Sequence, residues 1–232
     1  MRVHVLPGAL PPGAGARRRL CAWRVFPERP QSLFQPGRGA VFPQRPQAPF
    51  KLRIGVLIMI TALVGMAVSP GPAPSLAQVL VLALSVLIAS ASAGAFNQYV
   101  EHECDRLMAR TRGRAFATGA LPHHPAWLAL MAVLLAGAVA SAWLVLNGAA
   151  ALYVFLGAFF YGVVYTLWLK RRTSLNIVIG GLAGSFAVLA GAAAIDPNPG
   201  PLPWLLALVL FLWTPPHFWS LAIANRADYA QA

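Results

Sequence analysis

Acidic side chains are scarce in this chain. There are six Asp and Glu among 232 residues, and three of them, Glu101, Glu103 and Asp105, fall in one short segment. Charged residues of both signs make up only 10% of the sequence, against 58% hydrophobic residues and a mean hydropathy of +0.64. A chain with so little polar surface cannot face water on all sides, which excludes an ordinary soluble domain. Cysteine is nearly absent, and Cys21 and Cys104 do not have a metal-ligand spacing. The first fifty residues lack an apolar run long enough for a signal-peptide core.

Long apolar runs dominate the remainder. They lie at roughly 54–69, 77–96, 125–146, 149–169, 175–195 and 202–224, each near the ~20 residues that a helix needs to cross a bilayer. These runs predict an all-α, polytopic membrane helix bundle with six spans, the first being the shortest. Ten of the 18 basic residues lie at or before Arg53. The others follow the second, fourth and sixth runs, as Arg106, Arg110, Arg112 and Arg114, then Lys170, Arg171 and Arg172, then Arg226. The loops at 70–76, 147–148 and 196–201 have none, so the positive-inside rule puts the basic loops and both termini in the cytoplasm or its equivalent. The net charge of +12 is thereby a topology signal, and nucleic acid is not expected as a partner. Trp127, Trp143, Trp168 and Trp204 fall near span ends, where an aromatic belt places them.

Residues 1–50 hold nine of the 20 prolines and a single serine, and read as a basic, disordered extension. Their arginine bias suits a mitochondrial transit peptide, but their proline content and scarcity of serine favour a bacterial protein of the inner membrane.

The acidic segment reads N-Q-Y-V-E-H-E-C-D-R-L-M-A-R-T-R-G-R from residue 97. On a continuing helix, Asn97, Glu101 and Asp105 share one stripe at i, i+4 and i+8, while Glu103 points elsewhere. Hard-oxygen groups in that pattern suit Mg²⁺, which binds few carboxylates and shares its shell with substrate phosphates. Arg110 and Arg114 would meet the diphosphate with planar, bidentate forks. A solvated helix end, with its acids balanced by nearby arginines, is the plainer alternative. Lys170 and its neighbours serve topology or anion binding equally well. Gly180 and Gly184 suggest close helix packing, and His217 beside Pro215-Pro216 either satisfies a kinked backbone or contacts a ligand.

Three blocks carry a family resemblance: the acidic segment at 97–114, Y-T-L-W-L-K-R-R-T-S-L-N-I-V-I-G-G-L-A-G at 165–184, and L-W-T-P-P-H-F-W-S-L-A-I at 212–223. Over about residues 50–232 the sequence resembles the heme O synthases, the protoheme IX farnesyltransferases of the intramembrane prenyltransferase superfamily. The resemblance implies a helical bundle around a cavity, with Mg²⁺ as cofactor and with farnesyl diphosphate, haem b and the lipid bilayer as partners. It implies that Asn97, Glu101, Asp105 and Asp228 form the catalytic acidic motifs, with Glu101, Asp105 and Asp228 as metal ligands. Arg110, Arg114, Lys170 and Arg171 would hold the diphosphate, and Arg53, Tyr165, Asn176 and His217 would be haem-side residues.

Some positions depart from the family pattern. Glu101 stands where Asp is common, and Ala115 replaces a proline, which is expected to loosen that loop. The family has nine spans and this chain six, ending within the second acidic motif. That implies a C-terminally truncated prenyltransferase domain over 51–232. The rival readings are a prenyltransferase of another aromatic acceptor, an inactive fragment, and a membrane cation transporter. A transporter would carry its acids within the spans rather than at one membrane face.

Overall fold

A computed structural model describes residues 52–107, 111–170, 172 and 176–224. The expected extension at 1–50, together with Arg110, Arg171 and Asp228, lies outside the described residues. In chain order the helices are α1 (Leu52–Ala67), α2 (Leu76–Asp105), the single turn α3 (Ala115–Thr118), α4 (Ala126–Val145), α5 (Gly148–Phe159), α6 (Asn176–Ala193) and α7 (Pro201–Ala224). Between α5 and α6 the chain continues as a π-helical segment, π1 (Phe160–Leu169).

Five of these units are long and apolar enough to cross a membrane: α2, α4, α5 with π1, α6 and α7. The chain is a multi-pass membrane protein. The first predicted span is a helix of 16 residues, about 24 Å long at 1.5 Å per residue and short of the ~30 Å hydrocarbon core. By contrast α2 has 30 residues and runs about 45 Å. It is therefore longer than the core by about three turns, and its last three turns carry the acidic stripe. Side-chain caps fix the starts of two helices. Ser75 and Gln78 form a reciprocal capping box on α2. Asn147 caps α5 through Ala150 and donates to the Ala193 carbonyl at 2.6 Å, tying α5 to the end of α6.

The interior is built from small residues and the exterior from large ones, as expected where lipid is the solvent. Ala62, Ala138, Ala142, Ala150, Ala190 and Ala193 are fully or almost fully buried, whereas Leu57, Val133, Leu144, Leu205 and Val209 are exposed. α6 is central, packing against α1, α5, π1 and α7, while α2 packs against α1, α4, α5 and π1. The closest crossing is between α1 and α6. A Cβ on Gly191 would lie 1.8 Å from the Ala62 carbonyl oxygen, and one on Gly65 would lie 2.2 Å from that of Val188. Backbone meets backbone there, at Gly65 and Gly191 rather than at the expected Gly180 and Gly184. Gly184 faces open space, and Gly180 makes room for the Tyr165 ring, 2.8 Å from where its Cβ would be.

Candidate active site

Alternate crossing directions make α2 and the α5–π1 unit run the same way, and their ends interlock rung by rung. Asn97 donates from Nδ2 to Thr166 Oγ1 at 3.2 Å, and one turn further on Lys170 Nζ pairs with the Glu101 carboxylate. Asn97 also donates from Nδ2 to Glu101 Oε2 at 3.0 Å, so amide, carboxylate and ammonium form one connected group. Burial pulls the Lys170 amine below the usual lysine range, and the Glu101 carboxylate opposes this.

The third member of the stripe, Asp105, is paired separately. Arg114 Nη1 reaches Asp105 Oδ1 and Oδ2 at 2.8 and 2.7 Å, with both side chains nearly buried. The chain gets there by folding back after α2: Thr111 Oγ1 donates to the Asp105 carbonyl at 3.1 Å, and Arg114 N donates to Thr111 O at 3.0 Å. Ala115 then opens α3 and is buried, so the segment expected to loosen without proline is packed. Gly119, at φ 79°, ends that turn in the left-handed conformation that glycine favours. Glu103 is exposed on the other side, as expected, against Arg106 and His102. His123, just before α4, reaches back to α2. Its Nε2 donates to the Tyr99 carbonyl at 3.1 Å, and its ring stacks on Tyr99 with centroids 3.9 Å apart.

The four residues expected on the haem side divide into two pairs. Tyr165 and Asn176 gather at Lys170: its ammonium lies 5.7 Å from the Tyr165 ring centroid, and Asn176 Nδ2 donates to its carbonyl at 3.3 Å. Asn176 is buried, and its Oδ1 has no hydrogen-bond partner among the described residues. Arg53 is exposed at the start of α1, and His217 is exposed on α7. Instead of capping the carbonyls freed by Pro215 and Pro216, the His217 ring stacks on Trp213 at 4.4 Å. Sequence reasoning missed Thr166 and Thr111. Thr166 is far from Asn97 in the sequence, and only the helix pairing brings them together.

Among the described residues no group of three His, Cys, Asp or Glu gathers as a metal cluster. Two buried carboxylates on one stripe still fit Mg²⁺, which is commonly held by one or two carboxylates and completes its shell with phosphate oxygens and water. The donor set thus fits a metal that arrives with a phosphate-bearing ligand, and Lys170 and Arg114 supply the positive charge to receive that ligand.

The carboxylates paired with basic side chains thus lie at the ends of α2 and π1 in an all-helical membrane bundle. Residues 58–232 match the UbiA prenyltransferase family, and the chain belongs to that family. It is 57% identical over 183 residues to protoheme IX farnesyltransferase 2 of Paramagnetospirillum magneticum, a match covering 79% of this chain and 64% of that one. The chain therefore spans under two thirds of that relative's length. Its fold is similar to a UbiA homolog from Aeropyrum pernix K1, with TM-score 0.65 and 25% identity, covering 78% of this chain and 67% of that one. It also resembles a UbiA homolog from Archaeoglobus fulgidus bound to DMAPP and Mg²⁺, with TM-score 0.63 and 19% identity, covering 78% and 65% of the two chains.

Proposed function

We propose that the chain transfers a farnesyl group from farnesyl diphosphate to a vinyl group of haem b, giving haem o and diphosphate. The observation that carries this reading is the buried Asn97, Glu101 and Asp105 stripe, interlocked with Lys170 and Arg114 at the membrane face. The 57% identity to a protoheme IX farnesyltransferase supports the choice of acceptor. Mg²⁺, when bound, would neutralise the leaving diphosphate. Glu101 and Asp105, with Asp228, would hold the metal, and Lys170 and Arg114, with Arg110 and Arg171, would turn to the diphosphate oxygens.

The C–O bond breaks with its electron pair going to diphosphate, leaving an allylic cation. The bases contribute most where that charge develops, because they are fixed in a water-poor site. The haem vinyl then attacks the cation, forming the new C–C bond. Water adds to the resulting carbocation and gives up a proton, which leaves a hydroxyethylfarnesyl substituent. Tyr165 and Asn176, beside Lys170, would meet the haem, with Arg53 and His217 as the further haem-side residues. The setting is the bacterial inner membrane, with the basic loops cytoplasmic.

Glu101→Gln and Asp105→Asn should each reduce Mg²⁺-dependent diphosphate release by on the order of 10²-fold or more, with the protein still inserted in membranes. Wild-type rates in either variant contradict the reading.

A further inference from the structure

Asn176 opens α6 with its side-chain amide held at one end only. Its Nδ2 donates to the Lys170 carbonyl at 3.3 Å. A carbonyl oxygen only accepts, so the end facing it must be the NH₂, and the other end is the oxygen. Asn176 is 1% exposed, and among the described residues its Oδ1 has no hydrogen-bond partner. A buried acceptor left unpaired is costly enough that it ordinarily finds a donor. One turn along the same face of α6, Gly180 carries the Tyr165 ring. Lys170 thus has both ends engaged, its ammonium on Glu101, where the diphosphate is received, and its backbone carbonyl on Asn176.

The reaction assigned above limits what the missing donor can be, and the inference rests on that assignment. Diphosphate and the ionised haem propionates only accept hydrogen bonds. The farnesyl chain, the haem vinyl and the metallated pyrroles have no N–H or O–H. Water, which hydrates the carbocation, is the one reactant with hydrogens to donate. We propose that Asn176 Oδ1 accepts a hydrogen bond from this water and holds it for the carbocation on the haem side chain. By that stage the terminal vinyl carbon has bonded to the farnesyl carbon, leaving the positive charge on the carbon next to the porphyrin ring. The water oxygen supplies the electron pair of the new C–O bond, and one of its hydrogens leaves as a proton to an oxygen of the released diphosphate. An amide oxygen is too weak a base to take that proton, so Asn176 orients the water without titrating. Water tethered at the Lys170 backbone, rather than at its ammonium, stands apart from the allylic cation that forms beside the diphosphate and meets only the second cation. Buried waters are commonly held by otherwise unpaired groups of this kind.

The test is the composition of the farnesylated haem made by membranes carrying the full chain, given haem b, farnesyl diphosphate and Mg²⁺ and read by mass spectrometry. Without a held water the carbocation loses a proton instead, giving an alkene one water lighter than haem o. The wild-type chain should give haem o almost alone. Asn176→Leu, similar in size but without the acceptor, should lower the ratio of haem o to alkene about tenfold, the factor for one ordinary hydrogen bond. Asn176→Asp, which keeps an acceptor there, should stay within about twofold of wild type. The ratio is taken within each mixture, so it does not depend on how much of a variant folds. A lower yield at the wild-type ratio in Asn176→Leu would overturn the proposal and make Asn176 a packing or haem-contact residue, and a tenfold fall in Asn176→Asp would overturn it too. No farnesylated haem from the wild-type chain would overturn the reaction itself, a separate result that removes this role with it.

Discussion

Asp105 and Arg114 show what a single pair does here. Both are buried, and one guanidinium nitrogen contacts both carboxylate oxygens. Removing one partner leaves a charge without compensation in a poorly solvated place, so Arg114→Ala should cost about 3 kcal/mol of stability. The double variant Asp105→Ala/Arg114→Ala should recover much of that loss, as measured by thermal unfolding in detergent; equal losses in the two would contradict the pairing. Asn97, Glu101 and Asp105 were legible in the sequence because helical spacing alone puts them on one stripe. Their partners were less so: Lys170 stood out as a basic residue, but only the fold shows it on Glu101. Thr166 carried no signal, since a threonine within an apolar run is unremarkable until its neighbours in space are known.

At the level of elements, the positions of the helices followed from long apolar runs, while their contacts did not. Hydrophobicity shows that a helix is in the membrane without showing which face meets protein, because lipid and interior are equally apolar. Hence Gly180-x-x-x-Gly184 looked like a packing motif, whereas the close crossing uses Gly65 and Gly191. The π-helical phase of π1 was likewise invisible, because apolar periodicity does not distinguish it from an α-helix over ten residues. Gly191→Ala should destabilise the chain by on the order of 1–3 kcal/mol, since the Ala62 backbone cannot yield as a side chain would. Gly184→Ala, facing open space, should be neutral or slightly stabilising. If both unfold in detergent at the wild-type temperature, the crossing is not as close as described.

At the level of the whole molecule, the uneven distribution of Lys and Arg predicts an orientation with the acidic stripe on the cytoplasmic side. With the two native cysteines replaced, Asn198→Cys should react with a membrane-impermeant maleimide added to intact cells, and Arg112→Cys only after the membrane is opened. Both positions are exposed, so the reverse pattern would invert the topology. Membranes carrying the chain should be incubated with haem b, farnesyl diphosphate and Mg²⁺, and the extracted haems analysed by mass spectrometry beside a Glu101→Gln/Asp105→Asn control. The account predicts haem o from the unmutated chain alone. Haem o from both, or from neither although both insert, would contradict the claim that this chain performs the transfer at its acidic stripe.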